Sequence, residues 1–232
     1  IGAIIGDIVG SRFEFQNIHT KNFLLFSSFS HITDDSILTM AIAKALVTCK
    51  DDYSNLSEVT IECLRKFGKK YFTSYGNLFF KWLHSDSPQP YNSFGNGAGI
   101  RVSPVGFVAK DIAECQKLSR IVTEVTHNHP EGVKGAQAVA MAIWMARTIN
   151  QKTNHTPESI KKAIKNGVSE IYGYDLNRTI DDIIKSEKNE ENKLECTFNN
   201  NSIVRPGMKA LIEWEYVRTV LDIIVNSVAK QK

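Results

Sequence analysis

The four residues Thr33-Asp34-Asp35-Ser36 put two carboxylates and two hydroxyls on adjacent positions, immediately before an apolar run from Ile37 to Val47. Oxygen donors clustered at the end of a rigid element suit a hard cation such as Mg2+, which takes carboxylate and hydroxyl oxygens and keeps part of its water shell. The same residues also make an ordinary helix start, with Thr33 as N-cap and both acids at the positive end of the helix dipole. One such cluster does not complete a cation site without oxygens from elsewhere.

A second candidate is Tyr91-Asn92-Ser93-Phe94-Gly95-Asn96-Gly97-Ala98-Gly99-Ile100-Arg101. Glycines at alternate positions let a backbone approach a ligand and turn its N–H groups toward it, which is one way to bind a phosphate. A plain glycine-rich turn is the other reading. Arg101 either pairs with that phosphate or braces the loop. Further on, Thr126-His127-Asn128-His129-Pro130-Glu131 leads into a long apolar segment. Two histidines two positions apart, with no cysteine or third histidine nearby, make a poor zinc site. A helix cap from Asn128 or His129, with Pro130 in the first turn and one hydrogen-bonding histidine, is the better account.

The opening residues place Gly2, Gly6 and Gly10 at every fourth position, so on a helix they share one face. That face is flat enough for another backbone to pack closely. Glu14, one turn further, is expected on the same side and facing the space the glycines leave.

Helices must position these groups, because helical periodicity dominates the chain. Pro157 to Ile171 places Ile160, Ala163, Ile164, Gly167, Val168 and Ile171 on one stripe, with Lys161, Lys162 and Lys165 opposite and Thr156 before Pro157 as a start signal. Val133 to Arg147 is apolar almost all round, the pattern of a helix flanked on several sides. Asp34 to Val47, Ser57 to Phe72, Ile112 to Val125 and Tyr216 to Val228 also read as helices. No alternating strand, βαβ rhythm or internal repeat is present. Lys185 to Asn201 is charged and Asn-rich, as expected of a surface loop. These features predict one all-α domain over residues 1–232.

Composition excludes several other classes. A net charge of +3 over 232 residues gives no footprint for nucleic acid. Cys49, Cys63, Cys115 and Cys196 are too scattered for a zinc or redox motif, so free thiols in a reducing cytoplasm are expected. The longest apolar stretches, such as Val139 to Ala146, fall well short of the roughly 20 residues that span a bilayer. A soluble cytoplasmic protein without membrane contact follows as the expectation.

In this order, the blocks GAIIGDIVGSRFEF, ITDDS, YNSFGNGAGIRVSPVGF and THNHPEGVKGAQAVAMAI resemble the ADP-ribosylglycohydrolase family, closely over residues 1 to about 185 and loosely beyond. The family includes enzymes that remove ADP-ribose from arginine, and relatives acting on serine-linked ADP-ribose. The resemblance implies an orthogonal all-α bundle and metal-assisted hydrolysis of an N- or O-glycosidic bond, with ADP-ribose or an ADP-ribosylated protein as partner. It implies that Thr33, Asp34 and Asp35 are ligands of the first half of a dinuclear Mg2+ site (Mn2+ being the alternative ion), with Glu14 near the scissile bond. Glu14, Asp34 and Asp35 are thereby the candidate catalytic residues. Ser93, Phe94, Gly95, Asn96 and Gly97 match the loop that cradles diphosphate and ribose, and His127 matches a histidine lining the ADP-ribose pocket.

The second metal half of that family is a Gly-Gly-Asp-x-Asp-Thr motif near the C-terminus, and this sequence contains no Asp-x-Asp. Glu213 and Glu215 lie about 200° apart around a helix and cannot converge on one cation; Asp222 stands alone. Two functional expectations follow. The chain is part of a hydrolase whose remaining ligands come from elsewhere, or it is a relative that binds ADP-ribose, or serves a structural role, without turnover.

Overall fold

A computed structural model describes residues 2–14, 18, 22–71, 75–149 and 156–177. Among them every regular element is a helix, as the periodicity predicts. In chain order these are α1 (Gly2–Gly10), α2 (Asp34–Cys49), α3 (Leu56–Lys70), α4 (Asn77–His84), α5 (Gly97–Arg101), α6 (Val105–Val108), α7 (Ile112–Glu124), α8 (Pro130–Ile149) and α9 (Pro157–Tyr172). Short 3-10 turns at Ser11–Phe13 and Tyr53–Asn55 precede the segments leading to α2 and α3.

Helices α2, α7, α8 and α9 begin where side chains can satisfy their first N–H groups. Thr33 accepts from Asp35 N at 3.3 Å and starts α2; Asp111 accepts from Glu114 N at 2.7 Å and starts α7. Thr156 accepts from Ser159 N at 3.2 Å and starts α9, and Gly173, at φ +70°, ends it in the left-handed conformation that glycine adopts without strain. At α8 the cap is His129, whose Nδ1 accepts from Glu131 N at 3.1 Å.

Helix α8 is the structural centre. Ala136, Val139, Ala140 and Ile143 form one i, i+3, i+4, i+7 stripe, packed into a core with residues of α2, α3 and α7. Ala138, Met141, Ala142 and Ala146 form a second stripe two residues out of phase, roughly opposite, buried against Ile160, Ile164 and Val168 of α9. The all-round apolar sequence thus reflects two cores sharing one helix. The contact with α6 is so close that a Cβ on Gly106 would lie 2.7 Å from the Ala140 carbonyl oxygen.

Helices α4, α5 and α6 have no counterpart in the sequence reading. They run to eight, five and four residues, none opens with a side-chain cap, and α5 carries two glycines, so local propensity is silent and packing decides. The expected helix Tyr216 to Val228 and loop Lys185 to Asn201 lie outside the described residues. Cys49, Cys63 and Cys115 are buried free thiols. No described helix is long and apolar enough to cross a membrane.

Candidate functional site

The start of α2 is fastened to α1 by one carboxylate, that of Asp7. Thr33 N donates to its Oδ2 at 2.9 Å and the Thr33 hydroxyl to its Oδ1 at 2.5 Å. Ser36 N and the Ser36 hydroxyl both donate to Oδ2, at 3.3 and 2.5 Å. Asp7, Thr33 and Ser36 are all buried. The two hydroxyls read from the sequence as possible ligands therefore give their protons to Asp7. Thr33 Oγ1 also accepts from Asp35 N, so one lone pair remains on it, enriched by the donation to a carboxylate.

Asp7 was not singled out by the sequence reading, although a signal existed: it is the only acid in an apolar nine-residue helix. The glycine-face expectation needs correction at Gly10. It is exposed, and among the described residues a Cβ there would meet nothing within 4 Å, so none of their backbone approaches it closely. Helix α1 stops at Gly10 and the chain tightens into the 3-10 turn Ser11–Phe13. Glu14, which ends that turn, is consequently not a further α-helical step along the glycine face.

Glu14 nevertheless reaches the α2 carboxylates. The Asp34 carboxyl is pushed up to about 6, first by burial and then by repulsion from Glu14, with Asp7 adding to it and a backbone hydrogen bond opposing. Asp35 is pushed up to about 8 by burial, then by Asp34, Asp7 and Glu14. Glu14 itself, although exposed in area, is raised by partial burial and by Asp7, against His31, which lowers it. Among the described residues no basic side chain offsets the two aspartates. Four acids crowd one place, and a cation would relieve their repulsion.

This donor set fits a hard divalent ion: carboxylate oxygens at a rigid helix start, with one hydroxyl oxygen still able to coordinate. It is a partial set. Among the described residues no three His, Cys, Asp or Glu side chains converge to hold an ion by themselves. Consecutive helical residues point about 100° apart, so Asp34 and Asp35 cover one side of a coordination shell. Water or further residues would have to cover the other.

The second group of candidates is also brought together. Tyr91 N donates to the Thr126 carbonyl at 3.0 Å and Asn92 N to Asn128 Oδ1 at 2.8 Å, pinning the start of the loop to the residues before α8. Asn128 thus holds the loop and leaves the capping to His129. Ser93 Oγ accepts from Gly95 N at 3.0 Å, folding the chain toward α5. Phe94 is exposed, with its ring 5.2 Å from that of His129. Asn96 occupies the cap position of α5 without a side-chain cap bond.

His127 is buried beneath the loop. A Cβ built on Gly97 would lie 3.6 Å from both Cε1 and Nε2 of its ring, so that edge faces the loop. Gly132 sits where a Cβ would come within 2.7 Å of the Ser93 carbonyl oxygen, a close approach that only glycine permits.

Arg101, left open as a phosphate partner or a brace, is a brace. It is fully buried, donates to the Thr126 hydroxyl at 2.5 Å and lies 6.0 Å from the Phe79 ring centre. Burial lowers it to about 10, so it is still a cation at neutral pH. The carboxylate cluster and the loop ride on α2 and α5, which pack directly on one another and share the core of Leu38, Ala41, Ala98 and Val102.

Sequence comparison decides the family. The family model described as ADP-ribosylglycohydrolase matches residues 1–226. The chain belongs to the ADP-ribosylglycohydrolase family. Among curated relatives, the chain is similar to ADP-ribosylhydrolase ARH3 of Mus musculus, 23% identical over 193 residues that cover 68% of this chain and 50% of the relative. The protein of the same name from Gallus gallus is 24% identical over 177 residues, covering 62% and 48%. That from Danio rerio is 26% identical over 171 residues, covering 63% and 46%. The chain spans about half the length of the curated relatives it matches.

Proposed function

We propose that this ADP-ribosylglycohydrolase hydrolyses the N- or O-glycosidic bond between ADP-ribose and an arginine or serine side chain. Thr33, Asp34 and Asp35 would hold Mg2+, or Mn2+ in its place. The observation that carries this reading is the crowding of Asp7, Glu14, Asp34 and Asp35 at the start of α2 in a chain of this family.

When bound, such an ion supplies Lewis-acid polarisation and orients a water and the ribose hydroxyls. The chain's own residues would do the rest. Asp7 fixes where Asp34 and Asp35 point, by holding the first turn of α2 through Thr33 and Ser36. Glu14, raised by partial burial and by Asp7, is placed to take a proton from an attacking water, since a carboxylate above its ordinary pKa is a better base near neutral pH. Ser93, Phe94, Gly95, Asn96 and Gly97, backed by His127, would hold the nucleotide-sugar so that the anomeric carbon meets that water. Positioning of this kind can supply about 7–11 kcal/mol of a barrier.

A second reading, an ADP-ribose-binding protein without turnover, is favoured by the partial ligand set. Three protein oxygens on one side of an ion leave its other side to water, and Mg2+ held in that way binds weakly.

The experiment is release of ADP-ribose from arginine- and serine-modified peptides by the full-length protein, in Mg2+ and in EDTA, beside calorimetry with ADP-ribose. Mg2+-dependent release that Asp35→Asn abolishes supports the hydrolase. Binding without release on either peptide supports the second reading, and an absence of both overturns the two together.

A further inference from the structure

The segment Phe23 to Ile32, which leads into α2, is apolar and faces outward. Leu24, Leu25, Phe26, Phe29 and Ile32 are 77, 60, 61, 78 and 48% exposed. Single exposed apolar side chains are ordinary, but five large ones within nine residues form the kind of surface that marks a partner's place. The segment is held in shape. Ser30 N donates to the Ser27 carbonyl at 3.1 Å, Ser27 N to Ser30 Oγ at 3.2 Å and Phe29 N to Ser27 Oγ at 3.3 Å, which closes a turn between Phe26 and His31. Both ends are fastened to the 3-10 turn Ser11–Phe13. At one end Arg12 Nη2 donates to the Leu24 carbonyl, and the Phe13 and Phe23 rings meet edge to face at 5.3 Å. At the other, His31 N donates to Ser11 Oγ at 3.0 Å.

Glu14 ends that 3-10 turn and Thr33 follows Ile32, so the apolar segment abuts, at both ends, residues proposed to act at the scissile bond. Hydrolysis there breaks the bond between the anomeric carbon and the acceptor nitrogen or oxygen. The hydroxyl of water goes to the carbon and its proton to the leaving side chain. ADP-ribose occupies one side of that bond, and the polypeptide carrying the acceptor side chain occupies the other. We propose that Leu24, Leu25, Phe26 and Phe29 form the surface on which the ADP-ribosylated protein docks, selecting targets with apolar residues on either side of the modified one. The inference rests on the proposed hydrolase reading, because that reading puts the acceptor beside Glu14. Continuity with the site argues for this occupant over a second copy of the chain, a lipid surface or another segment of the same chain, none of which the reaction itself brings to this place.

Stopped-flow fluorescence polarisation of the full-length protein in Mg2+, read before cleavage, tests this on two sets of peptides ADP-ribosylated on arginine or serine. One set carries Leu and Phe on both sides of the modified residue, the other Gly and Ser; calorimetry with free ADP-ribose runs beside them. The apolar-flanked peptides are expected to bind about tenfold tighter to the wild type. The double variant Leu25→Ser with Phe29→Ser should bind both sets alike, with ADP-ribose affinity and melting temperature unchanged. Equal affinities in the wild type, or a preference that survives in the variant, overturn the docking surface and leave the hydrolase reading in place. Failure of ADP-ribose and of every peptide to bind overturns that reading and the docking surface with it. A melting temperature lower by more than about 5 °C in the variant would mean that the protein's own chain covers this face. A dimer that the variant dissociates would put a second copy there, and binding to phosphatidylglycerol vesicles that the variant loses would put lipid there. Each of these three results overturns the target-docking role.

Discussion

The Ser36 hydroxyl and Asp7 Oδ2 lie 2.5 Å apart, joining the first turn of α2 to the middle of α1 across 29 positions of sequence. The same carboxylate takes the Thr33 N–H, the Thr33 hydroxyl and the Ser36 N–H. Asp7→Ala leaves buried donors without an acceptor, each costing on the order of 1–3 kcal/mol when no water replaces the partner. Partial rehydration brings the expected total to about 2–4 kcal/mol, and thus a melting temperature lower by roughly 5–15 °C. Ser36→Ala removes one donor together with its bond and should cost about 1 kcal/mol. Equal melting temperatures for wild type and Asp7→Ala would show that the clamp contributes nothing.

Gly132 and Gly97 both border His127, yet they should respond to alanine in opposite ways. At Gly132 the new methyl would lie 2.7 Å from the Ser93 carbonyl oxygen and 3.4 Å from Phe94 Cα, both backbone atoms that can give way only by moving the loop. Overpacking of this kind costs about 1–3 kcal/mol, more than the roughly 1 kcal/mol of helix propensity that alanine adds. At Gly97 the methyl meets the ring edge at 3.6 Å, an ordinary contact, so stability should hold or rise slightly. Differential scanning calorimetry of the pair, with ADP-ribose titration of each, checks the contrast. Gly132→Ala is expected to lose both stability and binding, and Gly97→Ala binding alone.

The elements legible in the sequence were those whose evidence is local. Helix α9 carries its own start and stop, Thr156-Pro157 and Gly173, and the expected Pro157 to Ile171 differs from the observed helix by one residue. The apolar circumference of α8 announced a buried helix, and the two out-of-phase stripes explain why no polar face was needed. Asp34 and Asp35 stood out as a pair because adjacency is visible in one dimension. Asp7 did not, and Arg101 stood out only with its role open between phosphate partner and brace, because both depend on partners 26 to 29 and 25 positions away, brought near only by packing. Helix α5 was hidden by its glycines, which lower helix propensity at the place where backbone must approach His127.

Cys115 offers a readout of the α7–α8 core. Burial pushes its thiol up to about 12, against Arg147, which lowers it, so it is not ionised at pH 8–9 in the folded protein. The thiolate is the nucleophile. Iodoacetamide at pH 8.5 is therefore expected to leave Cys115 unmodified in the native protein and to alkylate it rapidly in urea, as read by peptide mass spectrometry. Prompt native modification would mean that the α7–α8 packing opens readily.

The acid cluster makes a signed prediction about pH. In the metal-free protein Asp34 and Asp35 are raised from 3.8 to about 6 and about 8, so the folded state binds these protons more tightly than the unfolded chain. Their stabilising contribution is complete below the unfolded value and is lost as pH rises through about 6 and then about 8. In EDTA the melting temperature should therefore fall between pH 5.5 and pH 8.5, and Asp35→Asn, which cannot ionise, should flatten that fall. Added Mg2+ competes with the protons for the same oxygens, so its stabilising shift should grow with pH and shrink in Asp35→Asn. A metal-free protein that becomes more stable over this range, with the variant showing the same slope, would mean that Asp35 is not the proton-binding group the packing makes it. Acids already ionised and well solvated at neutral pH would have little repulsion for a cation to relieve, and the case for a metal at the start of α2 would lose its physical basis.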